Sequence, residues 1–199
     1  MQRQRLIIFV KAPRAGFVKT RLARAIGAAA ACEAYRKLLG CVFAQMDSVR
    51  DVELRFSPDD AEEEIKPWLK EGWTTAGQGE GDLGERLAHA FAEAFANGFT
   101  QVAAIGSDCP EVTVDDVSQG WRALGRHDVV LGPAADGGYW LIGLKAGMDG
   151  IFEKIDWSTS RVLEQTLDWV KANGKSCHLL RELRDVDTEE DWKSFLKRK

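Results

Sequence analysis

A chain of 199 residues fits one domain of ordinary size and leaves no room for a second substrate domain. Its composition, 45% hydrophobic and 29% charged, excludes disorder, and the run Leu6 to Val10, ended by Lys11, is too short for a membrane span or a secretory core. A net charge of −4 argues against general nucleic-acid binding, so a cytoplasmic protein with a small-molecule ligand is expected.

The predicted elements begin with a strand at Leu6 to Val10 and a helix near Ala28 to Met46, whose Ala31, Tyr35, Leu38, Val42 and Met46 recur at spacings of three and four. A strand at Val52 to Phe56 leads to a charged helix at Asp59 to Glu71, interrupted near Pro67, and a weak strand at Trp73 to Ala76. A glycine-rich turn then opens a helix with Leu83, Leu87, Phe91 and Phe95 on one stripe. The strand Gln101 to Ile105 and the helix Val114 to Leu124 follow. Asp128 to Leu131 and Tyr139 to Leu144 are strands separated by the turn-forming ADGG. A helix over Ser158 to Asn173 ends at Gly174, the strand Ser176 to Leu180 comes next, and a last helix starts from Thr188. Alternating strands and helices imply a mostly parallel sheet covered on both faces, with ligands beyond the carboxyl ends of the strands.

The segments after the strands carry the chemistry. KAPRAGFVKTRLARAIG, residues 11 to 27, holds Lys11, Arg14, Lys19 and Arg21 beside Gly16, and residues 1 to 32 contain seven basic side chains and no acid. The choice is between a phosphate-binding loop and a solvated basic one. No Walker A motif is present, because Val18 precedes Lys19 and Thr20. Gly79, Gly81 and Gly84 in GEGDLG match GxGxxG, yet Glu80 and Asp82 would repel a pyrophosphate there. A loop with Asp82 as helix cap competes with a dinucleotide site.

Asp108 in GSDCP stands where one carboxylate can anchor Mg²⁺ or Mn²⁺ held mainly by substrate phosphates, or where it closes an Asx turn. Asp136, Gly137 and Gly138 form either a plain hairpin turn or a close approach to ligand. Asp187 is a candidate second carboxylate, although Thr188 and Asp191 also read as a helix cap. Cys32, Cys41, Cys109 and Cys177 contain no CxxC pair, and His89, His127 and His178 have no local partner, so thiol, zinc and histidine chemistry are not indicated.

Taken together, KAPRAGFVKTRL, QGEGDLGERL, GSDCPEV, GPAADGGYWLIGL and DVDTEEDW resemble a bacterial family of glycosyltransferase-like proteins of the radical-SAM/selenodomain-associated type, within the nucleotide-diphospho-sugar transferase superfamily. A more distant resemblance is to phospholactate guanylyltransferase and the molybdenum-cofactor nucleotidyltransferases. The resemblance spans almost the whole chain and implies a single domain over residues 1 to 199 with a GT-A-like three-layer α/β/α sandwich. It implies that Lys11, Lys19 and Arg21 meet phosphates, with Arg14 in the same loop. It further implies that Asp108 holds Mg²⁺ or Mn²⁺, that Asp187 is the second metal ligand, and that Asp136, Gly137 and Gly138 lie near sugar or acceptor.

The chain lacks both the LAGGxGxR opening of sugar nucleotidyltransferases and a DxD at the Asp108 strand end; DVD occurs instead at 185 to 187. The expected protein is a metal-dependent transferase acting on a nucleotide sugar or nucleotide and an unidentified acceptor. Glycosyl transfer is favoured, because the loop has few small residues to wrap a triphosphate. Asp136 is the candidate general base. Nucleotidyl transfer from an NTP, an NAD-binding oxidoreductase using GEGDLG, and a nucleotide-binding protein without chemistry are the alternatives.

Overall fold

The computed structural model describes residues 3–198. Seven strands, β1 (Gln4–Lys11), β2 (Val52–Ser57), β3 (Thr74–Gly77), β4 (Gln101–Gly106), β5 (Val129–Pro133), β6 (Tyr139–Leu144) and β7 (Cys177–Leu179), form one sheet in the order β3-β2-β1-β4-β6-β5-β7. Only β6 runs antiparallel to its neighbours β4 and β5; the pairings β1 with β2 and β4, β2 with β3, and β5 with β7 are parallel. The β5 to β6 connection is thus the hairpin that ADGG predicts. Its reversal also brings the first residue of β6, Tyr139, to the edge where the other six strands end.

The helices are α1 (Thr20–Ile26), α2 (Ala28–Gln45), α3 (Glu62–Ile65), α4 (Leu83–Ala96), α5 (Val114–Leu124), α6 (Val162–Ala172) and α7 (Glu189–Lys197). Side-chain alternation along β1 sorts them into layers. Leu6, Ile8 and Val10 face Tyr35, Leu39 and Phe43 of α2 and Val117 of α5, whereas Ile7 packs with Leu87 and Phe91 of α4 and Val170 of α6. Two cores on either face of a mostly parallel sheet make the expected three-layer sandwich. Each fully buried leucine on these faces contributes roughly 1.5–3 kcal/mol over an exposed one, so the two cores hold the strand ends in register.

Several boundaries differ from the sequence expectation. The helix expected over Asp59 to Glu71 is the single turn α3 followed by a 3-10 turn at Lys66–Trp68. Pro67 removes a backbone donor and restricts Lys66, ending the helix there. Helix α1 lies inside the segment taken as a basic loop, and its one buried residue, Leu22, packs on Ala31 and Ala34 of α2 beside Trp192 of α7. The helix expected from Ser158 starts only at Val162, because residues 157 to 160 fold as a loop in which Ser158 has φ 65°. Capping boxes open α4 at Asp82 and α7 at Thr188, and Gly174 follows α6 with φ +62°, all as read from sequence. No described helix is long and apolar enough to cross a membrane.

Candidate functional site

A cleft of about 810 Å³ opens at the carboxyl edge of the sheet. It is bordered by Lys11 at the end of β1, Gln78 after β3, Gly106 to Asp108 at the end of β4 and just beyond it, and Asp136 and Gly138 in the β5 to β6 hairpin. The 157 to 160 loop and the segment carrying Asp185 and Asp187 complete it. Open α/β sheets bind ligands at this edge because parallel strands end together there, leaving loops free to converge.

The chemistry centres on Lys19. Its ammonium stands 2.9 Å from Asp108 Oδ1 and 2.9 Å from Asp187 Oδ1, with only 3% of its side chain exposed against 45% and 38% for the two aspartates. Residues far apart in sequence meet because the backbone N–H of Val186 donates to the carbonyl of Asp108 at 3.0 Å. Val186 itself is buried, and Asp185 and Asp187 on either side of it both border the cleft. Lys19 caps α1 from the left-handed region, with φ 48° and no side-chain capping bond. A non-glycine residue held there costs on the order of 1–2 kcal/mol, which the two ion pairs offset.

Burial works against the Lys19 charge, but Asp108 and Asp187 outweigh it and raise its pKa. Asp185 experiences the reverse. Burial first, then the neighbouring Asp108 and Asp136 carboxylates, push it up to about 7, and Lys19 offsets only part of this. One ammonium therefore leaves this end of the cleft short of positive charge. Arg21 adds little, for it is 68% exposed and 3.6 Å from Asp187 Oδ2.

Lys11, Lys19, Arg21, Asp108, Asp136, Gly138 and Asp187 thus share one cleft, as expected of a common site. Arg14 does not join them. It turns to α3 and binds Glu64 at 2.6 Å and Asp60 at 3.1 Å, because the acidic run after Asp59 offers it closer partners. Gly137 also lies off the cleft lining: with φ +89°, a Cβ there would stand 2.2 Å from the carbonyl of Ser160. Its lack of a side chain serves the approach of the hairpin to the 157 to 160 loop, tied by a bond from the Leu163 N–H to its carbonyl at 2.9 Å. Asp136 accepts the Gly138 N–H at 2.9 Å, which shapes the turn and fixes its carboxylate. In GEGDLG, a Cβ at Gly84 would meet Trp157 Nε1 at 2.4 Å and the Phe152 carbonyl at 2.6 Å, so this glycine serves helix packing.

Four further residues border the site without having been singled out for it. Tyr35, which helical periodicity marks only as a core residue, puts its hydroxyl 2.9 Å from Ser107 Oγ and accepts the Lys11 N–H at 3.0 Å, tying the ends of β1 and β4. Gln78 donates to the carbonyls of Val10 and Arg55 and does the same for β1 and β2. Trp157 packs edge-on against Tyr139 and closes the far wall. Asp185 had one sequence signal, its place in DVD, but only the Val186 to Asp108 backbone bond brings that motif to the β4 end.

Two carboxylates around a cation are a hard-oxygen donor set that suits Mg²⁺ or Mn²⁺, and the Lys19 ammonium marks where positive charge is stabilised. Among the described residues no three His, Cys, Asp or Glu side chains form a closed cage. Ligand phosphates and water would complete such a site, the ordinary arrangement for magnesium.

The fold is the mostly parallel α/β fold of nucleotide-diphospho-sugar transferases and cytidylyltransferases. Within it, the chain belongs to the family described as an uncharacterized protein conserved in bacteria, DUF2064, whose profile matches residues 42–159. It is similar to a candidate nucleotide-diphospho-sugar transferase of known structure from Desulfovibrio desulfuricans G20, at 32% identity and TM-score 0.93 over 100% of this chain and 88% of that one. The fold is also similar to 4-diphosphocytidyl-2C-methyl-D-erythritol synthase from Anaerococcus prevotii DSM 20548, with TM-score 0.65, 11% identity and 99% of each chain covered. A third similar structure is the manganese complex of Rv0371c from Mycobacterium tuberculosis H37Rv, with TM-score 0.57, 13% identity and 98% and 99% coverage. No curated protein matches the chain.

Proposed function

We propose that this protein is a metal-dependent transferase, one domain over residues 1 to 199, acting on a nucleotide sugar. An acceptor displaces the nucleoside diphosphate from the sugar carbon. The observation that carries this reading is the Lys19 cluster: a buried ammonium between two half-exposed carboxylates, in the same cleft as Lys11 and Arg21. Cations and carboxylates side by side are what a metal-bound diphosphate requires. The similarity to a candidate nucleotide-diphospho-sugar transferase and, for the metal, to a fold crystallised with manganese supports the same reading.

In this reading Asp108 and Asp187 hold Mg²⁺ or Mn²⁺, which supplies charge neutralisation at the leaving diphosphate. Lys11, Lys19 and Arg21 bind its phosphate oxygens. Tyr35 fixes the β1 and β4 ends that carry Lys11 and Asp108, so these groups need little rearrangement at the moment of transfer. Asp136 and Gly138 meet the sugar or acceptor beneath the Tyr139 and Trp157 wall, with Asp136 placed to accept the acceptor's proton. No covalent enzyme intermediate is needed.

Nucleotidyl transfer is the second reading, favoured by the fold shared with a diphosphocytidyl-methylerythritol synthase. The experiment incubates pure protein with Mn²⁺, mixed acceptors and either a nucleotide-sugar panel or the four NTPs, and identifies products by mass spectrometry. Acceptor-dependent nucleoside diphosphate from a nucleotide sugar is expected. Acceptor-dependent pyrophosphate from an NTP, with nucleotide sugars inert, would replace this reading with the second.

A further inference from the structure

Lys19 is asked to do two things at once. The phosphate role needs its ammonium free for a ligand, and the metal role needs the carboxylates that it already occupies. We propose that Lys19 is a built-in counter-cation that keeps divalent metal off Asp108 and Asp187 until a phosphate-bearing ligand draws its ammonium away, so that metal and diphosphate bind cooperatively. This inference rests on the metal and phosphate reading of the cleft.

The geometry makes the competition direct. The ammonium touches Oδ1 of both aspartates at 2.9 Å, and a divalent ion on the same two atoms would stand in contact with it. Like charges at that separation, with the lysine side chain only 3% exposed, are weakly screened by water. Lys19 lines the cleft, and its four-carbon stem and three donors allow an exchange of two carboxylates for phosphate oxygens. Arg21 and Lys11 border the same cleft, so an anion drawn there arrives beside Lys19. Once phosphate holds the ammonium, both Oδ1 atoms are released together. Linkage then requires the effect to be reciprocal: metal must tighten diphosphate binding by the factor by which diphosphate tightens metal.

The opposing account makes Lys19 a bracket that holds the two carboxylates in place for a metal on their outer oxygens. The two accounts differ in sign. Mn²⁺ binding by the full chain is measured from the paramagnetic resonance of the free ion, for wild type, Lys19→Met, Lys19→Arg and Asp108→Asn. Lys19→Met should bind Mn²⁺ at least tenfold more tightly than wild type, Lys19→Arg about as weakly as wild type, and Asp108→Asn much more weakly. With inorganic pyrophosphate as probe, and the Mn²⁺–pyrophosphate complex subtracted, wild type should gain at least tenfold in Mn²⁺ affinity.

Weaker or unchanged Mn²⁺ binding in Lys19→Met, with Asp108→Asn still deficient, overturns the counter-cation and leaves the metal reading standing. Asp108→Asn binding Mn²⁺ like wild type overturns the metal reading, and this inference with it. Independence of Mn²⁺ and pyrophosphate in wild type overturns the coupling even if Lys19→Met fails to fold.

Discussion

Among the pairings of aspartate with a basic residue on this fold, those of Asp116 with Arg181 and of Asp108 and Asp187 with Lys19 are built in opposite ways. Asp116, buried in the first turn of α5, receives the Thr113 N–H and hydroxyl and two guanidinium bonds from Arg181 at 2.6 and 2.7 Å. Burial opposes its charge, but Arg181 and Thr113 more than compensate, and its pKa falls below the ordinary value. At the cleft, one lysine faces Asp108 and Asp187 with Asp185 behind them, and Asp185 is pushed the other way, up to about 7. The first cluster is complete within the protein and fixes α5 to the segment after β7. The second is short of positive charge. Folding alone does not require such a deficit, whereas a site for a cation or a metal-bound phosphate does.

The largest expected effect that would sharpen this contrast is at Asp108. Asp108→Asn should lower metal-enhanced nucleotide binding by 100-fold or more, about 2.7 kcal/mol, in a protein that still folds because Lys19 keeps Asp187 as its partner. Calorimetric titration with and without Mn²⁺ checks it, and nucleotide and Mn²⁺ binding like wild type would contradict it. Asp116→Ala should do the converse. Loss of the cap and of both Arg181 bonds should cost about 2–3 kcal/mol in urea unfolding, since Arg181 stays half exposed, with Mn²⁺ affinity unchanged. A shift in Mn²⁺ affinity would erase the distinction between the clusters.

The two aspartates should also respond to pH with opposite signs. The folded protein binds the Asp185 proton more tightly than the unfolded chain does, so this group's contribution favours folding below about pH 4 and is lost as pH rises to about 7. In metal-free buffer, Asp185→Asn should therefore gain stability over wild type steadily from pH 4 to 7, by up to about 4 kcal/mol. Asp116, with its pKa lowered, stabilises the fold above the ordinary carboxylate range and loses that contribution as pH falls below it. Thermal melts of the two variants across pH check both signs, and parallel profiles would break the comparison.

Smaller effects separate the two ends of the basic segment. Arg21→Ala should weaken nucleoside diphosphate binding about three- to tenfold and leave the free nucleoside untouched, as expected of an exposed charge read at phosphate. Arg14→Ala should change neither and leave the urea unfolding midpoint close to that of wild type, because its partners Glu64 and Asp60 lie on the surface away from the cleft.

The sequence makes the sandwich legible because period-two and period-3.6 patterns follow directly from burial on the two faces of the sheet. It also makes Lys11, Asp108 and Asp136 legible, since each ends or follows a strand or lies in a turn, and Arg21 by its place in the basic run after β1. Arg14 was indistinguishable from them by position, and only the packing of α3 shows it paired elsewhere. Helix α1 was hidden because its seven residues bury Leu22 alone and carry three arginine or threonine side chains in the first five positions. Asp185 and Tyr35 depend on contacts across long sequence separations, 77 residues for Asp185 from Asp108 and 72 for Tyr35 from Ser107, which no local pattern encodes.

The central claim, that the Lys19 cluster is a metal and nucleotide site, is tested most directly by crystals grown with Mn²⁺ and a nucleoside diphosphate. An anomalous difference peak roughly 2.0–2.6 Å from carboxylate oxygens of Asp108 and Asp187, with the diphosphate against Lys11, Lys19 and Arg21, is the predicted result. Manganese and diphosphate bound elsewhere, with the Lys19 ammonium still bridging the two aspartates, would contradict it.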